Sequence, residues 1–342
     1  MVPELSDEHK LPEKSARKVL DQVPTLGWGK QRECTFLGAL EAALAVTNHP
    51  VKYTDLMGWS GMAFRVRWFA GNEKGRWCPS CAVGEMEEEI QAVEHTTGWP
   101  LRVSFVEKED AAAMERLTAD FVASINAGRP VLAYEPRGNM DVVFGYQDGG
   151  KILLLRDYFE RDTPLQLAAS ELGFLVLFLG EHGEGMPRPE ALVRSLRIAV
   201  RNWRRERFSE GPGEYWYGEA ALNRWRADIA EADSLPDEQQ EQLCFVGSWN
   251  YTTMHDARLA VVTLLHENAD LLPAPGRQAL GRAAHLYQQE AELLGSALAR
   301  KDAFTGACQD WSAPMRRREQ EILSQAQGIE ESAISFLEKA LP

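Results

Sequence analysis

Cys34 stands where the charged run Lys30-Gln31-Arg32-Glu33 gives way to an apolar segment, in the stretch KQRECTFLGALEAAL at residues 30–44. A thiol at a helix start lies near the positive end of the helix dipole, which favours the thiolate. A cysteine nucleophile also requires a base, ordinarily histidine, and a group that orients that base. The other reading of a single cysteine at such a place is a small side chain tucked under the fold. His95 and His255 are the imidazoles whose surroundings best suit a base; the competing reading of His255, in TMHDAR, is a residue of a helix surface or helix interface. A second constellation is Cys78-Pro79-Ser80-Cys81, a spacing that serves as a redox pair or as half of a zinc site. No second CxxC or HxxxH completes a zinc set, so a loop carrying two thiols is the plainer reading. A third is the basic run of Arg194, Arg197, Arg201, Arg204, Arg205 and Arg207, suited to an acidic partner or, more commonly, to a solvated helix face paired with glutamates. No GxGxxG, Walker loop, HExxH or GxSxG is present, and no cofactor is implied.

These residues need a scaffold, and hydrophobic spacing supplies one. Apolar residues at 36, 37, 40, 43, 44 and 46 predict an amphipathic helix from Cys34 to Thr47. The Gly-punctuated segment 53–69 reads as helix, turn and strand, and residues 85–97 and 110–128 read as helices. Strands are expected at 101–107, 129–135, 140–147, 151–159 and 174–180, with Asp148-Gly149-Gly150 as the turn between the third and fourth. Helices mixed with antiparallel strands define an α+β domain over residues 20–181. After the Gly- and Pro-rich stretch 181–190 the period becomes 3.6, with Leu192, Leu196, Ala199 and Trp203 on one face and Leu222, Trp225 and Ile229 on another. Further helices at 253–270, 275–300 and 314–341 make residues 187–342 an all-helical bundle. Residues up to about 20 read as a loosely ordered arm.

The chain's 342 residues carry a net charge of −14, with acidic residues spread throughout, which argues against general nucleic-acid binding. No apolar run reaches membrane-spanning length and no signal-peptide core opens the chain, so a cytoplasmic protein without a membrane partner is expected. Five cysteines, an odd number in a chain this long, suggest mostly reduced thiols.

The order CTFLGALEAALAV, then a long insertion, then GRPVLAY…DVVFGYQDGGKILLLRDYF resembles the layout of papain-like cysteine peptidases. Within that superfamily it is most similar to bacterial double-glycine leader peptidases and to the N-terminal domain of butirosin biosynthesis protein H, an acyltransferase. The segments YTDLMGWSGMAFR, YGEAALNRWRADI and NYTTMHDARLAVVTLL extend the likeness from about residue 30 to about residue 270. The resemblance implies a papain-like N-terminal domain, its central helix packed on an antiparallel sheet, with Cys34 at the nucleophile position and Asp157 at the orienting position. It also implies a histidine at the start of the hairpin strand, where this chain reads Asn139-Met140-Asp141. A carboxylate at Asp141 is a weak base, and its charge raises a nearby thiol's pKa. The glutamine of the layout is displaced too, since Gln31 precedes Cys34 by three residues rather than five or six.

The layout gathers Trp59, Phe64, Arg65, Trp68, Tyr146, Arg156 and Tyr158 around the cleft, and aromatic walls with a few cations suit a small anionic or acyl-type ligand. Core packing is the rival account of the aromatic residues, and a buried pair with Glu41 or Asp157 that of the two arginines. Two readings result. In the favoured one, a catalytically degenerate member binds a small molecule or peptide in the former cleft. In the other, an acyltransferase or amide hydrolase uses Cys34, Asp157 and a base recruited from elsewhere. The oligomeric state is open, with a homodimer among the options.

Overall fold

In a computed structural model, residues 16–71, 77–78, 86–159, 163–205, 207–210, 213–298, 308 and 311–342 are described. In chain order the elements are β1 (Lys18–Val19), α1 (Thr35–Leu44), α2 (Tyr53–Trp59), β2 (Arg67–Gly71), β3 (Trp77–Cys78), α3 (Met86–Thr97), β4 (Leu101–Phe105) and α4 (Ala111–Asn126). There follow β5 (Val131–Tyr134), β6 (Met140–Gln147), β7 (Ile152–Arg156), β8 (Leu165–Leu167), β9 (Leu175–Leu179) and α5 (Arg188–Arg204). The remainder comprises β10 (Arg207–Glu210), β11 (Gly213–Tyr217), α6 (Gly218–Ala230), α7 (Asp237–Asn268), α8 (Ala274–Leu298) and α9 (Ala313–Ala340). Among the described residues no helix is long and apolar enough to cross a membrane.

Contacts divide the chain into two compact units that interleave in sequence. One lies within Met1–Gly27, Ala42–Pro50 and Arg102–Leu179, the other within Trp28–Glu41, Val51–Leu101 and Gly180–Pro342. One of the boundaries between the units falls after Leu179, and the segments carrying Cys34, α2 and α3 group with the C-terminal helices.

The first unit is built on a sheet in the order β4-β9-β5-β6-β7-β8, with β1 pairing β6. Strands β5, β7 and β9 are near-continuous apolar runs, VLAY, ILLLR and LVLFL, and β5 and β9 are buried along their whole length. Their side chains join Leu117, Phe121 and Ile125 of α4 in one core. Asp110 caps α4 by accepting the amides of Ala112 and Ala113 at 2.9 and 3.0 Å. Residues 148–150 turn the chain from β6 to β7 with positive φ throughout, at 50°, 68° and 99°, the conformation that the Asp-Gly-Gly sequence tolerates best. Gly145 sits at a register shift in β6, where a Cβ would meet the Lys18 carbonyl of β1 at 2.8 Å. A side chain at 145 would push β1 off the sheet. The segment around residue 18, expected as a loose arm, is therefore a paired edge.

The second unit is helical but not all-helical, which corrects the sequence expectation. It contains an antiparallel sheet in the order β10-β11-β2-β3. The reason is long-range pairing: Gly213 to Tyr217 align with Gly71 to Arg67, segments far apart in the chain. Trp68 of β2 stacks on Trp225 of α6 with ring centroids 4.7 Å apart, and its indole N–H donates to Asp228 at 2.7 Å. The faces read from spacing are the buried ones in α5 (Leu192, Leu196, Ala199, Trp203) and α6 (Leu222, Trp225, Ile229). The arginines of α5 pair with acids, Arg201 with Glu88 at 2.8 Å and Arg204 with Glu331 and Glu338 at 3.1 and 3.4 Å. Helix α7 begins at Asp237, well before the expected 253. A second correction concerns the thiols, because Cys244 and Cys308 form a disulfide. Residues 79–81 of the CPSC stretch lie outside the described residues.

Candidate thiol site and the carboxyl cluster of the first unit

The amide of Gly38 donates to the Cys34 carbonyl at 2.9 Å, so Cys34 occupies the cap position at the head of α1. Upstream, Gly29 and Gln31 take positive φ values of 73° and 58°, and the amide of Gly29 donates to Glu33 Oε1 at 2.7 Å. The Cys34 amide donates to the Tyr53 hydroxyl oxygen at 3.1 Å, and that hydroxyl donates to Asp256 Oδ2 at 2.5 Å. The Glu33 amide donates to the same Asp256 oxygen at 3.2 Å. Tyr53 comes from the first turn of α2 and Asp256 from the middle of α7.

The electrostatics follow from burial. Desolvation, then the charge of Asp256, pushes the Glu33 carboxyl up to about 7, against the opposing Gly29 amide. Desolvation raises Asp256 to about 6, with the Tyr53 hydroxyl and the Glu33 amide working the other way. Tyr53 itself is driven well above the ordinary phenol range by burial and by its neighbours Asp256 and Cys34. At neutral pH Tyr53 therefore keeps its proton and acts as the donor to Asp256.

The Cys34 thiol is buried and lies 3.6 Å from the Met62 sulfur. It lines a cavity of about 20 Å³, together with Met57, Met254, Arg65, Arg67 and Asn250. That is room for about one water-sized group. Arg65 pairs with Glu89 at 2.6 Å, and Arg67 lies over the Tyr215 ring at 4.5 Å. Neither candidate imidazole is among the cavity-lining residues. His255 is directed at α8, where a Cβ on Gly295 would sit 3.0 Å from its Nε2, and burial lowers its pKa. His95 is in hydrogen-bond range of Arg194 at 3.4 Å.

Asp141 and Asp157 belong to the first unit. Val142 of β6 pairs with Arg156 of β7, so residues 141 and 157 stand one step further along the two neighbouring chain segments. Arg137, from the β5–β6 turn, donates to Glu135 at 2.7 Å and Asp157 at 3.4 Å, and its guanidinium lies 3.7 Å from the centre of the Phe159 ring. Asp141 is fully buried beside them. Desolvation, then the charges of Glu135 and Asp157, raises its carboxyl to about 8, with Arg137 and the Tyr158 amide opposing. At neutral pH the protonated form of Asp141 is therefore favoured. Among the described residues no group of three or more His, Cys, Asp or Glu is placed to hold a metal ion.

The expected ligand-binding set is divided. Trp59, Phe64 and Arg65 lie in the second unit, and Tyr146 and Arg156 in the first. Of the five, only Arg65 lines the Cys34 cavity. Phe64 packs edge-on against Tyr287, and Arg188 lies over the ring of Trp59. Tyr146 joins the first unit's core and donates to Asn126 at 3.0 Å, while Arg156 lies over Phe144 at 4.8 Å. Core packing accounts for Phe64 and Tyr146. Sequence reasoning missed Tyr53, Asp256, Arg67 and the role of Glu33; only Glu33, adjacent to Cys34, carried a signal. No protein-family model matches the chain, and no curated protein matches it.

Proposed function

We propose that the chain is a catalytically degenerate papain-like protein, which keeps the thiol position at Cys34 and binds a small molecule or peptide there without turning it over. The observation that carries this reading is the lining of the Cys34 cavity, where guanidinium and thioether groups surround the thiol and, among the described residues, no imidazole does. Thiol catalysis depends on a general base matched to the operating pH. The base position of the layout holds Asp141, whose protonated form is favoured at pH 7. The Cys34 amide, a potential oxyanion donor, is already engaged by Tyr53. Arg65 and Arg67 favour a negatively charged or polar atom, and the small cavity admits only one water-sized group at the tip of a ligand.

The second reading, a thiol-dependent acyltransferase or amide hydrolase, draws support from the same two arginines and the helix start, since positive charge lowers a thiol pKa. Iodoacetamide labelling across a pH series, mapped by mass spectrometry with glutathione as the free-thiol reference, separates the two. Under the binding reading Cys34 labels more slowly than glutathione at every pH. Fast, selective labelling of Cys34 with an apparent pKa well below the ordinary value of about 8.5 would overturn it.

A further inference from the structure

A second cavity lies in the helical unit, and none of its lining residues lines the thiol cavity, although both draw on α7. Its volume is about 240 Å³, and its walls come from α7 (Ser248, Tyr251), the end of α8 (Ala297, Leu298) and the start of α9, including Met315 and Ile322. The walls are mainly apolar side chains, and the charged groups among them have partners. Arg318 pairs with Glu321 at 2.9 Å, and the Glu319 carboxylate accepts the Trp311 indole N–H at 2.9 Å.

Ser248 breaks the apolar pattern. It is 1 % exposed, and its hydroxyl oxygen has no hydrogen-bond partner among the described residues. A serine within a helix commonly donates to the carbonyl four residues back, as Thr252 does to Ser248 at 3.0 Å; the Ser248 hydroxyl makes no such bond. A buried hydroxyl left unsatisfied is costly, and a ligand atom that completes it gains accordingly. The neighbouring Tyr251 hydroxyl reaches only the Glu319 carbonyl, at 3.4 Å, close to the limit of a useful bond. One turn before Ser248 on α7, Cys244 is bonded to Cys308, which ties the segment entering α9 to α7 and sets the spacing of two walls before any ligand arrives.

We propose that this cavity binds a compact neutral ligand, a single aromatic ring with a short alkyl chain and one hydroxyl group, the hydroxyl pairing with Ser248. The size follows from the volume, since an apolar cavity of about 150 Å³ accommodates benzene. Neutrality follows because both charged wall side chains, Arg318 and Glu319, are already engaged by other groups, Glu321 and the Trp311 indole. The site is independent of the thiol reading, and failure of either leaves the other standing.

The test compares 4-propylphenol with propylbenzene, which lacks only the hydroxyl, by isothermal titration against the oxidised 342-residue chain. Saturable binding of 4-propylphenol about tenfold tighter than propylbenzene is expected, the value of roughly one buried hydrogen bond. Ser248→Ala, which removes one oxygen and little volume, should abolish that preference while both compounds still bind. Ala297→Phe, at a partly exposed wall position, should abolish binding of both. Equal affinity of the two compounds for the native protein, retention of the preference in Ser248→Ala, or no saturable binding up to the solubility limit would each overturn the proposal.

Discussion

The Tyr53 hydroxyl donates to Asp256 Oδ2 at 2.5 Å, and its own oxygen accepts the amide N–H of Cys34 at 3.1 Å. One phenol thus joins the head of α1, the start of α2 and the middle of α7. Replacing it by phenylalanine leaves a buried amide and a buried carboxylate short of a partner, a loss of about 1–3 kcal/mol. The bond to Asp256 is strongest when that carboxyl is ionised, and Asp256 titrates at about 6. The Tyr53→Phe penalty, measured by urea unfolding, should therefore be larger at pH 8 than at pH 5. An identical penalty at both would remove the charge-assisted bond from the account.

Raised carboxyl pKa values set the direction of the pH dependence. Asp141, Glu33 and Asp256 are raised to about 8, about 7 and about 6, all above their ordinary values near 4. In the unfolded chain these groups release their protons at about pH 4, and in the folded protein they hold them until pH 6–8. The folded state binds more protons across that window, so their contribution to stability is fully present below about pH 4 and is lost as pH rises through 6–8. Unfolding free energy should decline between pH 5 and pH 9. Asp141→Asn, which keeps the shape and removes the titration, should flatten the decline between about pH 7 and pH 9; a variant with an unchanged slope would show that Asp141 ionises normally.

Arg258 is a separate buried-charge problem. It is fully buried, donates to Glu290 at 3.0 Å and to the Ala63 carbonyl at 2.8 Å, and also pairs with Glu330. Two carboxyls face one guanidinium, and burial raises both, with Arg258 opposing. Arg258→Met strands that pair and should cost on the order of 3–5 kcal/mol. Glu290→Gln should be far milder, because burial and the adjacent Glu330 charge already favour the neutral form of that side chain. Denaturant midpoints of the two variants, at equal m values, decide it; a Gln variant as damaging as the Met variant would mean that Glu290 is ionised in the folded protein.

Local pattern made much of this chain legible. The runs VLAY, ILLLR and LVLFL announce strands, Asp148-Gly149-Gly150 announces its turn, and the stripe Leu192, Leu196, Ala199, Trp203 announces the buried face of α5. What escaped depends on distant partners. β11 is a strand because residues 213–217 pair with β2; the aromatic run Tyr215-Trp216-Tyr217 is a local strand signal, but the partner that satisfies it lies far away in the sequence. The first half of α7 buries side chains on several sides, including Leu243, Cys244, Val246 and Tyr251, so its apolar residues trace no single stripe. The thiol position was legible from the helix start, but its partners were not. Tyr53 and Asp256 are 203 residues apart in sequence and meet only in the fold.

Cysteine parity misled in the same way, and the Cys244–Cys308 bond gives the last prediction. The two residues are 64 apart in sequence, and the bond ties α7 to the segment preceding α9. In the chain-entropy account, a crosslink closing a loop of that length removes freedom mainly from the unfolded chain, for about 4 kcal/mol, with typical values of 2–4. The double variant Cys244→Ser/Cys308→Ser should therefore lose stability, and its m value should rise because its unfolded state expands further. Treating the native protein with a phosphine reductant should shift its urea midpoint towards that of the double variant, and should leave the midpoint of the variant itself unmoved. If the reductant lowers both midpoints equally, the stabilising effect belongs to some other pair of sulfurs and not to Cys244–Cys308.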